Sequence, residues 1–297
     1  MMYASKFWRT DSKRIQSNLP QGEFKVVGVE PKNRGNLGNS SSARHRQICP
    51  CIPLDSPNSS PDSSLRHNAS MCGRITQTRS IREFGKAVGW SEEEMRERDI
   101  SGFTANYNCT PGMEHLLFRV LDGVPTAEMV MWHYLSPWAR KEGHPPAINA
   151  KREKLLGGYY RPMMKTGRVI VPADGWYEWT GKPGAKQPWY IKAKDDAPLF
   201  FAALTNHVPD QDDPEGAGFV IVTDDAAGGM VDIHARRPVA LSADDARMWM
   251  DLDVPFDQAE QVARTSELRE DYFEWYQVSK DVNRPGQHDE HLIAPLA

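Results

Sequence analysis

No stretch of the 297 residues approaches the ~18 consecutive apolar residues that a membrane-spanning helix needs, and the mean hydropathy is −0.61. An integral membrane protein built on apolar helices is therefore excluded. The opening residues MMYASKFWRTDSKR carry charge but no apolar core segment, so the reading is a soluble chain with no secretory signal. Cysteine is scarce as well. Cys49, Cys51, Cys72 and Cys109 are too few and too irregularly spaced for a disulfide framework. No βαβ alternation, internal repeat or metal-ligand cluster of convincing spacing is present. Cys49-Pro-Cys51 has one intervening residue and no second ligand pair, and His288-Asp-Glu-His291 reads as a solvated tail. No cofactor is called for, and a cytoplasmic location is expected.

The net charge of −4 conceals a seam. Residues 1–70 carry +5, and Ser, Asn, Pro and Gly make up 28 of them, while residues 71–297 carry −9. The first segment holds too little apolar surface to offset the entropy of ordering it, so a disordered leader is predicted over 1–70. From residue 71 onward, regular patterns begin. Ser80 to Glu83 spells a capping box, and Asp122-Gly123 between apolar runs predicts a hairpin. Strands are predicted at 168–171, 175–179, 189–193, 199–204, 219–223 and 272–278, and helices near 243–250 and 258–268. Strands dominate, so the expected class is α+β around a mainly antiparallel sheet.

Met71-Cys72-Gly73-Arg74 lies on the seam. A methionine there, followed by a small residue, looks like a translation start whose removal leaves Cys72 first. An N-terminal cysteine carries an amine and a thiol on adjacent carbons, with ordinary pKa values of about 8 and 8.5. With an aldehyde, such a pair closes a five-membered thiazolidine, which an internal cysteine cannot do. The competing reading is an inert, buried cysteine. In Val171-Pro-Ala-Asp-Gly-Trp-Tyr-Glu178-Trp179, a strand places Glu178 on the face of Trp176 and opposite Tyr177 and Trp179. Aromatic surroundings desolvate a carboxylate and raise its pKa toward general acid–base values. Asn149-Ala-Lys151-Arg152 offers an amide and two cations, though alone it reads as a helix start. His234 has Arg236 and Arg237 close by and is a candidate proton shuttle.

In their order and spacing, these stretches resemble the SOS response-associated peptidase (SRAP) family of abasic site processing proteins. The resemblance spans 71–297 and includes Met71–Arg74, Tyr107-Asn108, Trp132–Trp138, Asn149-Ala150 with Glu153, and Val171–Trp179. It continues through Gln187-Pro188, Ile221–Thr223, His234 with Arg236 and Pro238, and Leu292–Pro295. It implies one domain over 71–297, with a barrel-like β core and flanking helices. It also implies a monomer that binds single-stranded DNA and captures abasic sites through an N-terminal Cys72. Carried over by position, Asn149 would orient the N-terminus or sugar, Glu178 would act as acid and base, and His234 would assist Schiff-base proton transfers. Arg74, Trp132 and Trp138 would line the DNA channel. Lys151, Arg152, Arg161, Arg168, Arg236 and Arg237 are expected to converge with Arg74 on one groove, with the acids elsewhere.

Three local departures stand out. Lys151 occupies a place that is commonly arginine, Arg237 one that is commonly methionine, and Trp132–Trp138 differs from the usual Trp-Gly-Leu-x-Pro-x-Trp. The residues ahead of Cys72 block its amine unless translation starts at Met71 or the leader is cut away, which Cys72 could itself do by attacking the preceding carbonyl. Two other functions fit the same residues: a cysteine peptidase or amidohydrolase acting on proteins, and a non-covalent reader of modified or single-stranded DNA.

Overall fold

The computed structural model describes residues 72–296 apart from Asp99, Asp213, Pro214 and Ser266. The leader assignment over 1–70 and the Cys49-Pro-Cys51 pair fall outside the described residues.

Most of the chain forms two sheets that are largely antiparallel. In the larger, the main order is Arg236–Pro238, Phe219–Asp225, Leu199–Thr205, Arg168–Ala173, Glu114–Leu121, Val124–Met131 and Arg96–Glu97. Ala240–Leu241 adds to Leu199–Thr205, and Asn149–Lys151 pairs in parallel with Phe219–Asp225. The smaller sheet runs Phe273–Gln277, Gln187–Ala193, Gly175–Thr180, Ile75–Gln77 and Asn106–Cys109.

Alternation along the strands sorts side chains into three cores. Leu199, Phe201 and Ala203 face the smaller sheet, where Trp176, Ile191 and Phe273 meet them in the barrel-like core. Phe200, Ala202 and Leu204 face the helices and pack with Phe84, Trp249 and Ala263. Leu199–Thr205 is consequently buried along its whole length, as a strand covered on both faces must be. Tyr177, Tyr190, Val282 and Leu292 close the outer face of the smaller sheet. Trp176 is 1% exposed and makes edge-on contacts with Phe201 and Phe273. Truncating such a ring to alanine costs about 3–5 kcal/mol.

Local chemistry sets several element boundaries as the sequence predicts. Ser80 and Glu83 complete a reciprocal capping box ahead of helix Ile81–Ala87. Asp122 and Gly123 both take positive φ, 51° and 77°, which is what a two-residue hairpin turn requires. The helix near 243–250 spans Ala243–Met250, and the next spans Phe256–Thr265. Gly175 answers to a close approach instead: a Cβ there would lie 2.5 Å from the Ile191 carbonyl oxygen and the Tyr190 hydroxyl. The strand carrying Glu178 can lie flat on its neighbour only because this position lacks a side chain. The segment at Asn149 differs from the local reading. It is a strand, Asn149–Lys151, followed by a 3-10 turn over Arg152–Lys154, because pairing with Phe219–Asp225 overrides a weak helix signal.

Candidate active site

Four chemically active side chains from four separate segments come together beside the core that the two sheets share. Cys72 leads into the strand Ile75–Gln77 and is fully buried. Its main-chain oxygen accepts a 3.0 Å hydrogen bond from Asn149 Nδ2. Asn149 is aligned by the parallel pairing opposite Ile221, and its own carbonyl accepts from the Tyr160 hydroxyl at 3.2 Å. Glu178 projects from Gly175–Thr180 on the face of Trp176, while Tyr177 and Trp179 join the opposite cluster, as the two-residue period predicts. His234 Nδ1 stands 3.9 Å from Glu178 Oε2 and 2.8 Å from the Arg236 carbonyl oxygen. The Cys72 Sγ lies 3.8 Å from that same oxygen.

Burial governs the electrostatics. Glu178 is 4% exposed, and desolvation pushes its pKa up to about 8, against smaller downward pulls from the Cys72 hydrogen bond and the charge of Lys186. Burial also drives the Cys72 thiol well above its ordinary value, and the neighbouring Glu178 adds to the effect. Near neutral pH the pair is therefore a protonated carboxyl beside a protonated thiol. Two acceptor atoms in the site, Asn149 Oδ1 and Glu178 Oε1, are buried without a hydrogen-bond partner. Such orphans are costly in a folded interior and tend to mark positions where a reacting group is received.

The expected basic groove does not form as a single surface. Arg168 is 2% exposed and donates to the carbonyls of Trp249, Met164 and Val254 at 2.7, 2.6 and 2.8 Å. It therefore serves helix C-termini, where the backbone dipole favours a cation. Arg161 lies over the Phe256 ring, 5.2 Å from its centroid. Arg74 Nη1 is held by Asn108 Oδ1 at 2.9 Å and by the Val282 carbonyl, and its guanidinium sits over Trp179. Acids are not segregated either. Arg152 pairs with Asp224 and approaches Glu260 to 3.7 Å. Arg236 is gripped by Glu153 at 3.1 Å, Asp225 at 2.9 Å and the Thr223 carbonyl at 2.7 Å. Of the seven, Arg74, Lys151, Arg152 and Arg236 keep partial exposure within three residues of one of the four central side chains.

The two tryptophans part company. Trp132 is fully buried, stacked on Phe219 with its indole N–H on the Ile148 carbonyl at 2.9 Å, so it cannot stack on a base. Trp138 is 59% exposed at the start of helix Pro137–Lys141 and remains available.

Arg237 is likewise a structural cation. It is 2% exposed, pairs with Glu267 at 2.9 Å, and lies over Phe273. This pair fixes the strand whose Arg236 carbonyl faces Cys72 and His234. Nothing in the local sequence around Glu267 signals the pairing, which depends on contacts distant in the chain. Glu267→Ala is expected to lower stability by about 2–3 kcal/mol in urea titration, because a buried cation is left unpaired while its partner was part-exposed. Replacing both by apolar residues, Arg237→Met with Glu267→Leu, should recover most of that loss.

The sequence matches the family described as SOS response associated peptidase (SRAP) over residues 71–285. It is 34% identical over 230 residues to the abasic site processing protein YedK of Escherichia coli, covering 76% of this chain and all of that one. The abasic site processing protein HMCES of Gallus gallus is 24% identical over 275 residues, covering 76% of this chain and 78% of its own. Among solved structures, a phage-related protein of Bordetella bronchiseptica superposes with a TM-score of 0.60 at 36% identity, covering 70% of this chain and 95% of that chain. A protein of Bacteroides thetaiotaomicron shares the fold at 16% identity, with a TM-score of 0.61 over 76% of this chain and all of its own. The chain belongs to the SOS response associated peptidase (SRAP) family.

Proposed function

We propose that this protein processes abasic sites in single-stranded DNA by covalent capture through Cys72, acting as a cytoplasmic monomer in the response to DNA damage. The observation that carries the reading is the meeting of Cys72, Asn149, Glu178 and His234, with two orphaned acceptors, beside the core. The names of the relatives, abasic site processing proteins, support the abasic-site part of this reading.

Capture requires a free amine on Cys72, from translation beginning at Met71 followed by removal of that methionine, or from cleavage by the protein itself of the bond preceding Cys72. In the second route the Cys72 thiol attacks the Met71 carbonyl, and the Met71–Cys72 amide breaks to free the amine. Water then hydrolyses the resulting thioester to a Met71 carboxylate and the restored thiol, with Glu178 and His234 managing the protons. The amine, once free, donates to Asn149 Oδ1. An abasic deoxyribose opens to a C1′ aldehyde, and protonated Glu178 supplies a proton to the departing oxygen. The amine adds to C1′ and loses water to give an imine, with His234 taking the amine proton. Glu178, now a carboxylate hydrogen-bonded to Sγ, accepts the thiol proton. Sulfur then adds to the imine carbon and the nitrogen is reprotonated, closing a thiazolidine with net loss of one water. The lesion is left shielded from strand cleavage.

The test incubates the protein, its N-terminus read by intact mass, with single-stranded DNA holding one abasic site. A chain begun at Met71 and trimmed of that methionine supplies the free amine if the full chain is not cut. A heat-stable crosslink is the expected result. Reversible binding alone would support a DNA reader, and turnover of peptides without a crosslink would support a peptidase.

A further inference from the structure

The strand pairing that positions Glu178 also presents an aromatic side chain beside it. Trp189 stands directly opposite Glu178 in the antiparallel pair, so both side chains project from the same face of the sheet, about 5 Å apart at Cβ. Trp176, on that face one step deeper, is buried in the core, whereas Trp189 is partly exposed. Its indole N–H donates to Thr180 Oγ1 at 2.9 Å, which fixes the ring across the two strands and leans it outward from Glu178 toward the hairpin end. Lys186 lies on the same arm, close enough for its charge to act on the Glu178 carboxyl. A flat ring held in one orientation, partly in solvent, beside a cation and a reaction centre is the arrangement that receives a nucleobase of single-stranded DNA.

We propose that Trp189 is the stacking platform for the base next to the abasic residue, so that the protein selects lesions flanked by an intact base. This rests on the capture reading and deepens it. Stacking on Trp189 draws the neighbouring nucleotide out along the sheet and delivers the baseless sugar to Glu178 and Cys72. Lys186 faces the intervening phosphate.

Capture rates at sub-saturating DNA test the idea with two oligonucleotides. In one, the abasic site is flanked by adenosines; in the other, both flanking positions are stable baseless tetrahydrofuran residues. Wild type is expected to capture the base-flanked lesion about tenfold faster. Trp189→Phe should keep most of that preference, and Trp189→Leu should capture both oligonucleotides at the slower rate. Because each variant is judged by a ratio between two substrates, a fraction of unfolded protein cancels. Full preference retained in Trp189→Leu, or none in wild type, would overturn the proposal. A wild-type chain that crosslinks neither oligonucleotide, even with a free Cys72 amine, overturns the capture reading and this one with it.

Discussion

Cys72→Ala is expected to abolish the heat-stable crosslink to abasic DNA while leaving an adduct that borohydride can trap. In a chain begun at Met71 and trimmed of that methionine, alanine keeps the terminal amine, so the imine still forms and can be reduced; it lacks the sulfur that closes the ring. A thiol from solution cannot replace it, because groups on adjacent carbons react with effective concentrations reaching ~10⁵ M. One extra residue ahead of Cys72, shown by intact mass to be retained, should remove both adducts, since the amine is then an amide. Denaturing gels with and without borohydride read the two outcomes directly. Equal crosslinking by Cys72→Ala without reductant would refute a role for the thiol.

Glu178→Gln carries the second large effect, with opposite signs for activity and stability. In wild type the carboxyl is protonated below about pH 8 and can act as an acid. Capture should therefore slow above that pH, and in Glu178→Gln it should be slower by about 100-fold or more, with no inflection near pH 8. Stability follows from linkage. The folded-state pKa is raised from 4.5 to about 8, so the folded chain holds this proton more tightly than the unfolded one. Stability from this group is full below about pH 4.5, falls between there and pH 8, and is level above. A tenfold difference in proton affinity corresponds to about 1.4 kcal/mol, so wild type should lose several kcal/mol across that window. Glutamine has no proton to lose. Glu178→Gln should therefore become the more stable form as pH rises, which urea titrations at about pH 5 and pH 9 would show. A variant uniformly less stable at both pH values would contradict the burial of Glu178 as the source of its behaviour.

Much of this site is legible from sequence because its signals are local. The alternation that sets Glu178 beside Trp176 needs only a period of two, and the Asp122-Gly123 turn and the Ser80–Glu83 box need only four residues each. What escapes is whatever depends on distant pairing. Asn149 reads locally as a helix start, yet a parallel partner more than seventy residues away makes it a strand. Arg168 and Arg237 look like any surface arginine in the sequence. Their burial comes from the helix ends and from Glu267, which only the folded chain brings near. Trp132 sits in a motif suited to stacking, but its place opposite Phe219 consigns it to the core. Trp189 goes unnoticed for the converse reason, since its meaning lies in the register that sets it across from Glu178.

The central claim is that one residue supplies both atoms that bind the lesion. Mass spectrometry of the crosslinked peptide, after nuclease and protease digestion, tests it most directly. The account requires a peptide that begins at Cys72 and carries the sugar remnant less one water. Its thiol should resist alkylation, and its mass should be unchanged by borohydride, because a closed thiazolidine offers neither a free sulfur nor an imine. A crosslinked peptide that begins upstream of Cys72, or one joined through a lysine with Cys72 still open to alkylation, would contradict it.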